Sequence, residues 1–239
     1  MCRLLLLNHP HGVNPLSHLD AFKKVCKDSP EYQGHGWGCA WIDENENWQF
    51  YHNILPIWED PMDDIPQTRL FLVHARSAFR DEGIVVENNM PFDDGENVFL
   101  FNGELQGVKI KSEGRIGAEK IFNYIKRFDK GDIAPATRKG VDIIKKRTRY
   151  IRAMNFFLSN KKSVQICSLF GENPDYFALH TLFEDGLRII CSQPYSLRDQ
   201  IGTPLDTQCK TSWKTLWKTI DNHQIFTLDT LTSELNMPI

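Results

Sequence analysis

The chain has 239 residues, of which 41% are hydrophobic and 25% charged, and its formal net charge is -3. These values are ordinary for a globular protein and give no general reason to expect binding to nucleic acid or to acidic lipid. No segment reaches the roughly 18 apolar residues of a membrane-spanning helix. The apolar run at residues 4–7 stops at Asn8, short of the roughly 7 to 15 residues of a secretory signal core. The sequence therefore predicts a cytoplasmic protein that binds neither membranes nor nucleic acid.

The first half of the chain predicts mainly strands. The short apolar run at 4–7 is typical of a strand covered on both faces. Asn14-Pro15 predicts a helix start, with Asn14 as N-cap and Pro15 as the first helical residue, and this helix ends near Ser29. Further alternating or apolar runs predict a hairpin and then two more strands. These predicted strands are residues 35–42 and 48–51, then 69–75 and 98–101.

The second half predicts two helices and then a second group of strands. Helical spacing of apolar residues predicts helices at 118–128 and 132–150. Basic residues at 138–149 alternate with apolar ones, which favours a helix with one solvated basic face over a nucleic-acid site. The strands that follow are residues 153–158, 164–169, 176–182, 187–191 and 224–228. This order indicates an α+β fold of two mainly antiparallel sheets with helices outside. Because no linker or repeat is visible, we expect a single domain over residues 1–239.

The six cysteines are scattered and form no Cys-x-x-Cys pair. The sequence therefore predicts neither a disulfide scaffold nor a zinc site, and no metal or organic cofactor is expected. Five of the cysteines are expected to be buried thiols. These five are Cys26, Cys39, Cys167, Cys191 and Cys209.

Cys2 is set apart by its position directly after Met1. A residue as small as cysteine permits removal of the initiator Met, which would place a thiol and a free α-amine on one residue. The reference pKa values are about 7.7 to 8.0 for the amine and about 8.5 for the thiol, so the amine can accept the thiol proton near neutral pH. Such a pair suits covalent acyl transfer. On its own, a cysteine at this position is equally compatible with chance.

Several further segments occur with Cys2 in a fixed order, and together they resemble the class II, or N-terminal nucleophile, glutamine amidotransferase domain. The resemblance is to its compact, stand-alone members; it spans nearly the whole chain and is strongest up to about residue 125. It implies a four-layer αββα sandwich, the N-terminal nucleophile hydrolase fold. The segments are Cys2-Arg3-Leu4-Leu5, His35-Gly36-Trp37-Gly38, Val73-His74-Ala75-Arg76, Asn88-Asn89-Met90-Pro91-Phe92 and Phe101-Asn102-Gly103-Glu104.

The resemblance implies catalytic roles for three residues. Cys2 would attack the side-chain amide of glutamine, form a glutamyl thioester and release ammonia. Asn102 and Gly103 would form the oxyanion hole, since an amide and a backbone N–H are suitable donors to a tetrahedral intermediate. The alternative for Asn102-Gly103 is an ordinary tight turn after a strand.

The resemblance also implies three substrate-binding residues. Arg76 would hold the substrate α-carboxylate, for which a planar guanidinium is well suited; its alternative is a structural ion pair. Trp37 and Gly38 would line the floor beside the nucleophile, although Trp37 is equally compatible with a core position. His74 is not expected to form a catalytic pair with Cys2, because the terminal amine already supplies a base.

The chain departs from the family pattern at three places. Met90 and Phe101 stand where the family usually has histidine. Gly117 stands where an aspartate normally binds the substrate α-amine, and losing such a charged contact costs on the order of 1.5 to 3 kcal/mol. Glu113 and Glu119 are the nearby carboxylates that could compensate.

Three functional hypotheses follow. The first is a glutamine amidotransferase-like amidohydrolase. The second keeps the thiol but acts on a γ-glutamyl or other amide lacking a free ammonium, as Gly117 suggests. The third is a non-catalytic regulatory or binding subunit. Because 239 residues leave no room for a synthase domain, released ammonia would pass to a partner subunit unless the protein is a simple hydrolase.

Overall fold

The computed structural model describes residues 1–196 and 216–236, and these residues form both strands and helices. The strands are β1 (Arg3–Val13), β2 (Trp37–Ile42), β3 (Trp48–Asn53), β4 (Thr68–Ala75), β5 (Phe92–Asp93), β6 (Val98–Val108), β7 (Thr148–Ser159), β8 (Ser163–Ser168), β9 (His180–Glu184), β10 (Leu187–Cys191), β11 (Lys218–Thr219), β12 (Gln224–Asp229) and β13 (Leu235–Asn236). The helices are α1 (Leu16–Lys27), α2 (Gly117–Lys126), α3 (Ile133–Lys146) and the single turn α4 (Pro174–Phe177).

The strands form two antiparallel sheets. The first has the order β11-β9-β10-β1-β4-β2-β3 and the second the order β13-β12-β8-β7-β6-β5. One apolar cluster fills the space between the sheets, a second lies between the first sheet and α1, and a third lies between the second sheet and α2 with α3. The layers are therefore helix, sheet, sheet and helix. This arrangement confirms the predicted α+β class and the four-layer αββα sandwich.

The leucines of β1 show why this strand lies in the middle of a layered core. Successive side chains of a strand point to opposite faces. Leu4 and Leu6 accordingly pack between the two sheets, whereas Leu5 and Leu7 pack towards α1, and all four are fully buried. The continuous apolar run thus reflects a strand with protein on both faces.

β6 follows the same alternation in the second sheet. Phe99 and Phe101 pack towards α2 and α3, and the Phe99 ring stacks on Phe122 of α2 with centroids 5.2 Å apart. Val98 and Leu100 point the other way, into the space between the sheets. Continuing this alternation places the next inward-facing side chain at Asn102.

Two of the differences between predicted and observed helix boundaries have a clear physical reason. Pro15 is the N-cap of α1, one residue later than predicted, while Asn14 Oδ1 accepts a hydrogen bond from the Leu16 N–H at 3.0 Å. The predicted helix 132–150 ends at Lys146, because Thr148 and the residues after it pair with the end of β6. Strand pairing therefore overrode the helical spacing of the last residues.

The predicted strand 176–182 was wrong at its first residues. Tyr176 and Phe177 belong to α4, which begins with Pro174 at its first position, where a missing N–H costs nothing. The strand begins only at His180, as β9.

Four of the five cysteines predicted to be buried thiols are free and buried, and Cys209 lies outside the described residues. Within residues 1–196 and 216–236, no helix is long and apolar enough to cross a membrane.

Candidate active site

Cys2 lies immediately before β1, beside the turn that follows β4. Its Sγ is 3.5 Å from the Ser77 backbone nitrogen, which donates to it, and 3.6 Å from the Ser77 carbonyl oxygen. The antiparallel register of β1 and β4 pairs Arg3 with Ala75. This register brings Cys2, one residue before Arg3, alongside Arg76, one residue after Ala75.

The environment of the Cys2 thiol acts on its pKa in both directions. Burial raises the pKa above its ordinary value, while the amino terminus, the Ser77 N–H and the positive charge of Arg76 lower it. Burial disfavours the thiolate, whereas nearby cations and N–H donors favour it. The net effect is a raised pKa in the chain that still carries Met1.

Arg76 is a buried guanidinium held by neutral oxygen atoms. Its side chain is 4% exposed and donates to the Gly83 carbonyl at 2.8 Å, to Asn89 Oδ1 at 3.3 Å and to the Val85 carbonyl at 3.5 Å. In the described ranges no carboxylate lies within ion-pair distance of it. The structural ion pair considered for Arg76 is therefore not formed by these residues, and burial lowers its pKa. A buried cation without a counter-ion favours an anionic ligand.

Asn102 and Gly103 lie in the middle of β6, so the tight-turn alternative for them is wrong. The Asn102 side chain is fully buried, and neither its nitrogen nor its oxygen has a hydrogen-bond partner. Its cross-strand neighbour Asn155 is also buried but donates to the Phe177 carbonyl at 2.6 Å and accepts from the Leu169 N–H at 2.9 Å. Since buried polar groups are almost always bonded, the free amide of Asn102 distinguishes it from Asn155.

Gly103 allows close approach of two backbones. A Cβ at this position would lie 2.1 Å from the Ala153 carbonyl oxygen of β7. Any residue other than glycine would therefore push β6 away from β7 just beside Asn102.

The packing of the two sheets brings the strand that carries Asn102 and Gly103 against the two strands next to Cys2 and Arg76. β1 and β4 both pack against β6. His74 lies on the inner face of the first sheet, in register with Leu4 and Gly38, and it is fully buried. Burial and the nearby Arg76 lower the pKa of His74 to about 3. A pKa this low makes His74 a weak base, which suits a packed residue under the site.

Trp37 and Gly38 have different surroundings. The Trp37 indole is fully buried in the cluster beneath α1, and its Nε1 donates to Asp60 Oδ2 at 2.8 Å. The core position considered for Trp37 accounts for these contacts. A Cβ at Gly38 would lie 2.6 Å from both the Met90 carbonyl oxygen and a His52 ring carbon, so Gly38 lets the segment around Met90 approach β2.

The two positions that lack the family's histidines contact each other. The Phe101 backbone N–H donates to Met90 Sδ at 3.2 Å, and both side chains pack in the cluster beneath α2 and α3. The two departures thus form one apolar contact next to Asn102.

The carboxylate in the first turn of α2 is Glu119, two residues after the position of the missing aspartate. Gly117 is exposed, and a Cβ added there would meet nothing within 4 Å. Glu119 forms an ion pair with Arg115, with Oε1 2.6 Å from the guanidinium Nη2, and this bond lowers the pKa of Glu119. A cavity of ≈ 420 Å³ lies between Glu119 and Asn89, the residue that also holds Arg76. Cys2 and Asn102 are not among the residues that line it.

Sequence analysis missed three residues around Met1. The Met1 amino group pairs with Glu31, and the Met1 carbonyl accepts from Gln33 Nε2 at 2.6 Å and from the Tyr176 hydroxyl at 2.5 Å. Glu31 and Gln33 directly precede the His35-Gly36-Trp37-Gly38 segment, so their position was a usable signal. Tyr176 is distant in sequence, and no local pattern indicated that it contacts Met1.

Ion pairs between Arg152 and three glutamates form a network beside Met1. Arg152 lies 2.7 Å from Glu172, 3.5 Å from Glu104 and 3.6 Å from Glu31. Glu104 follows Gly103 directly, so this network connects the surroundings of Met1 to β6. In the part of the chain that the structure describes, no group of three or more His, Cys, Asp or Glu residues is arranged to hold a metal ion.

Comparison with solved structures identifies the fold. The chain aligns with a glutamine aminotransferase class-II domain protein from Silicibacter pomeroyi at 13% identity and a TM-score of 0.61, covering 99% of both chains. It aligns with glutamine phosphoribosylpyrophosphate amidotransferase from B. subtilis at 12% identity and a TM-score of 0.66, and with the allosteric regulatory enzyme of purine biosynthesis at 12% and 0.68. In both, 99% of this chain covers 49% of the other, so the chain spans about half their length. No family model and no curated protein matches the sequence. The chain therefore has the fold of class II glutamine amidotransferase domains.

We predict that Gly103→Ala destabilises the protein while Gly117→Ala does not. The Cβ at 103 would collide with the Ala153 carbonyl, whereas the one at 117 enters open space. Overpacking against backbone is expected to lower the free energy of unfolding by about 3 kcal/mol, measured by urea denaturation. Equal stability of the two variants would contradict the close contact between β6 and β7.

Proposed function

We propose that the protein is a glutamine amidotransferase-like amidohydrolase whose nucleophile is Cys2. Removal of Met1 would expose the Cys2 α-amine, and the thiol would attack the side-chain amide of glutamine. The products of the first step are a glutamyl thioester and ammonia. One domain over residues 1–239 and a cytoplasmic location remain predictions that accompany this proposal.

The observation that supports this proposal best is the unbonded amide of Asn102. A fully buried side chain with neither polar atom satisfied costs roughly 1 to 3 kcal/mol. Such a cost is typical of functional sites, where a group is kept ready for a ligand. An amide N–H group aimed at a developing oxyanion stabilises the transition state more than the ground state.

The proposed mechanism uses four residues: Cys2, Asn102, Gly103 and Arg76. The freed Cys2 amine accepts the thiol proton, directly or through water, and the thiolate attacks the γ-carbonyl carbon. The Asn102 amide and the Gly103 N–H stabilise the oxyanion of the tetrahedral intermediate. When the carbon–nitrogen bond breaks, the proton on the Cys2 amine passes to the leaving nitrogen. Arg76 binds the substrate α-carboxylate, which supplies the counter-ion that the described residues lack.

The fate of ammonia separates two versions of this function. Water can hydrolyse the thioester and release glutamate, or a partner subunit can take up the ammonia for a synthetic reaction. The chain spans about half of glutamine phosphoribosylpyrophosphate amidotransferase, which has the same fold. A partner that accepts ammonia is therefore part of the proposal.

The test is the intact mass of the purified protein before and after treatment with 6-diazo-5-oxonorleucine, an electrophilic glutamine analogue. We expect the loss of one Met and then a single adduct that maps to Cys2. Retained Met1 together with an unreactive Cys2 would refute the enzyme and favour a non-catalytic subunit. Loss of Met without an adduct would count against glutamine as substrate.

We predict that Asn102→Ala lowers kcat about 10²- to 10³-fold, as expected on removal of one oxyanion donor. Because the unpaired Asn102 amide lowers stability, its removal should leave the midpoint of urea unfolding unchanged or raise it. Asn155→Ala is the matched control: it breaks two buried hydrogen bonds and should lower stability by about 2 kcal/mol. Equal destabilisation by both substitutions would mean that Asn102 has a structural role.

The exposed Gly117 favours a second candidate function with the same fold and nucleophile. The carboxylate in the first turn of α2, Glu119, is engaged by Arg115. A substrate without a free α-ammonium, such as an N-blocked glutamine or a related γ-glutamyl amide, would not need the missing charge.

We predict that Gly117→Asp raises kcat/KM for free glutamine relative to Nα-acetylglutamine by about tenfold or more, since it restores a charge-assisted contact. Gly117→Asn, which has the same shape without the charge, is the control. The measurement is the ratio of kcat/KM for glutamine to kcat/KM for Nα-acetylglutamine, taken in both variants at steady state. An unchanged ratio in the Asp variant would show that the ammonium is not bound near α2.

A further inference from the structure

Arg76 is held in a way that leaves its charge without a counter-ion. Two of its three acceptors are the backbone carbonyls of Gly83 and Val85, and the third is the side-chain oxygen of Asn89, 3.3 Å from Nη1. Among residues 1–196 and 216–236, Asn89 is the one side chain that accepts a hydrogen bond from the guanidinium. Asn89 is therefore the side chain best placed to orient the guanidinium without neutralising it.

The Asn89 amide is fixed in one orientation. It is 2% exposed, and its Nδ2 donates to the Asn53 carbonyl oxygen at 2.8 Å. Because an amide nitrogen only donates and an amide oxygen only accepts, this bond turns Oδ1 towards Arg76. The reverse orientation would set two donors against each other and two acceptors against each other. An aspartate could not make both contacts, since an ionised carboxylate has no proton to donate to the Asn53 carbonyl.

Gly36 leaves the space that this amide occupies. A Cβ at position 36 would lie 2.1 Å from Asn89 Nδ2 and 2.7 Å from the Asn53 carbonyl oxygen. Gly36 also has a φ of +99°, in the left-handed region that favours glycine. Its carbonyl accepts the Arg76 backbone N–H at 2.9 Å. Gly36 thus holds the backbone of Arg76 and makes room for the amide that holds its side chain.

The residue that accepts from Asn89 is anchored in the core. Asn53 is the last residue of β3 and pairs with Trp37 of β2. Its side-chain nitrogen donates to the Tyr51 hydroxyl at 3.1 Å, and that hydroxyl donates to Asp60 Oδ2 at 2.9 Å. Asp60 is buried and also accepts from the Trp37 indole. The carbonyl that holds Asn89 therefore belongs to a strand end fixed by a chain of hydrogen bonds to Asp60.

Resting on the proposed function, we propose that Asn89 is the positioning residue for Arg76. Binding a carboxylate through two parallel N–H···O bonds requires that the planar guanidinium be presented in one orientation. Asn89 restricts that orientation through its bond to Nη1, and its neutral oxygen leaves the positive charge for the substrate α-carboxylate. In this role Asn89 acts through Arg76 and makes no contact with the reacting atoms.

Steady-state kinetics with glutamine test this role through KM and kcat separately. Asn89→Ala should raise KM about tenfold or more. It should change kcat less than about twofold, because the α-carboxylate contact is made equally in the ground state and the transition state. Asn89→Asp should raise KM at least as much, since its carboxylate would pair with Arg76 and compete with the substrate. Asn88→Ala is the matched control and should leave KM close to the wild-type value, because the buried Asn88 donates to the Gly83 carbonyl at 3.0 Å and not to Arg76.

Labelling rates at Cys2 separate positioning from a purely structural role. The rate with 6-diazo-5-oxonorleucine, which carries the α-carboxylate, should fall about tenfold or more in Asn89→Ala. The rate with iodoacetamide, which has no carboxylate, should stay unchanged, with the adduct mapped to Cys2 by mass spectrometry. In an Arg76→Ala background, Asn89→Ala should cause no further fall with 6-diazo-5-oxonorleucine, because two residues that act through one contact are not additive.

Three kinetic results would overturn the role of Asn89: an unchanged KM in Asn89→Ala, a wild-type KM in Asn89→Asp, or an equal rise in Asn88→Ala. A further fall in the Arg76→Ala background, or an equal loss of iodoacetamide labelling, would also overturn it, since either would show a structural role. If wild-type Cys2 is labelled by 6-diazo-5-oxonorleucine, such results refute the role of Asn89 alone. If it is not labelled, the proposed function fails, and the role of Asn89 fails with it.

Discussion

The position of the candidate nucleophile depends on the antiparallel pairing of β1 with its two neighbours. β1 lies between β10 and β4, and its leucines are buried on both faces. Slipping β1 by one residue would exchange its two faces and place the wrong side chains in each layer. The register that pairs Arg3 with Ala75 is therefore strongly fixed, and it sets Cys2 beside Ser77 and Arg76. The core of the sandwich thus positions a residue that lies just outside it.

Around Cys2, the structure retains polar groups that the rest of the fold does not satisfy. Arg76 has only neutral partners, and the amide of Asn102 has none. Both reduce stability, since a buried charge or amide is costly unless it is paired. The large apolar clusters on each side of both sheets can offset that cost. The proposed function would give both groups a partner, since Arg76 would hold an anionic ligand and Asn102 an oxyanion.

The sequence predicted the layers well because apolar periodicity reports burial directly. The double-sided leucine run of β1 and the alternation along β6 both became buried strands. The errors lie where long-range pairing overrode local pattern, as at Thr148, which joins β7 instead of extending α3. The helix α4 was missed because Tyr176 and Phe177 were read as the start of the next strand.

The candidate site was predictable only in part. Cys2, Arg76 and Asn102 were found through a resemblance in motif order. Tyr176 was not found, because it meets Met1 only through the folding of a segment about 175 residues away, and no local pattern reports such a contact.

The contact between Met90 and Phe101 has a consequence for how the site responds to its surroundings. The sulfur of Met90 accepts the Phe101 N–H just before Asn102, and Met90 lies two residues before the start of β5. It therefore replaces a strand carbonyl at the margin of the sheet. A histidine at either position would introduce a group that titrates near neutral pH, whereas a thioether and a phenyl ring carry no proton to lose. Met90 and Phe101 therefore add no titrating group beside the backbone that carries Asn102.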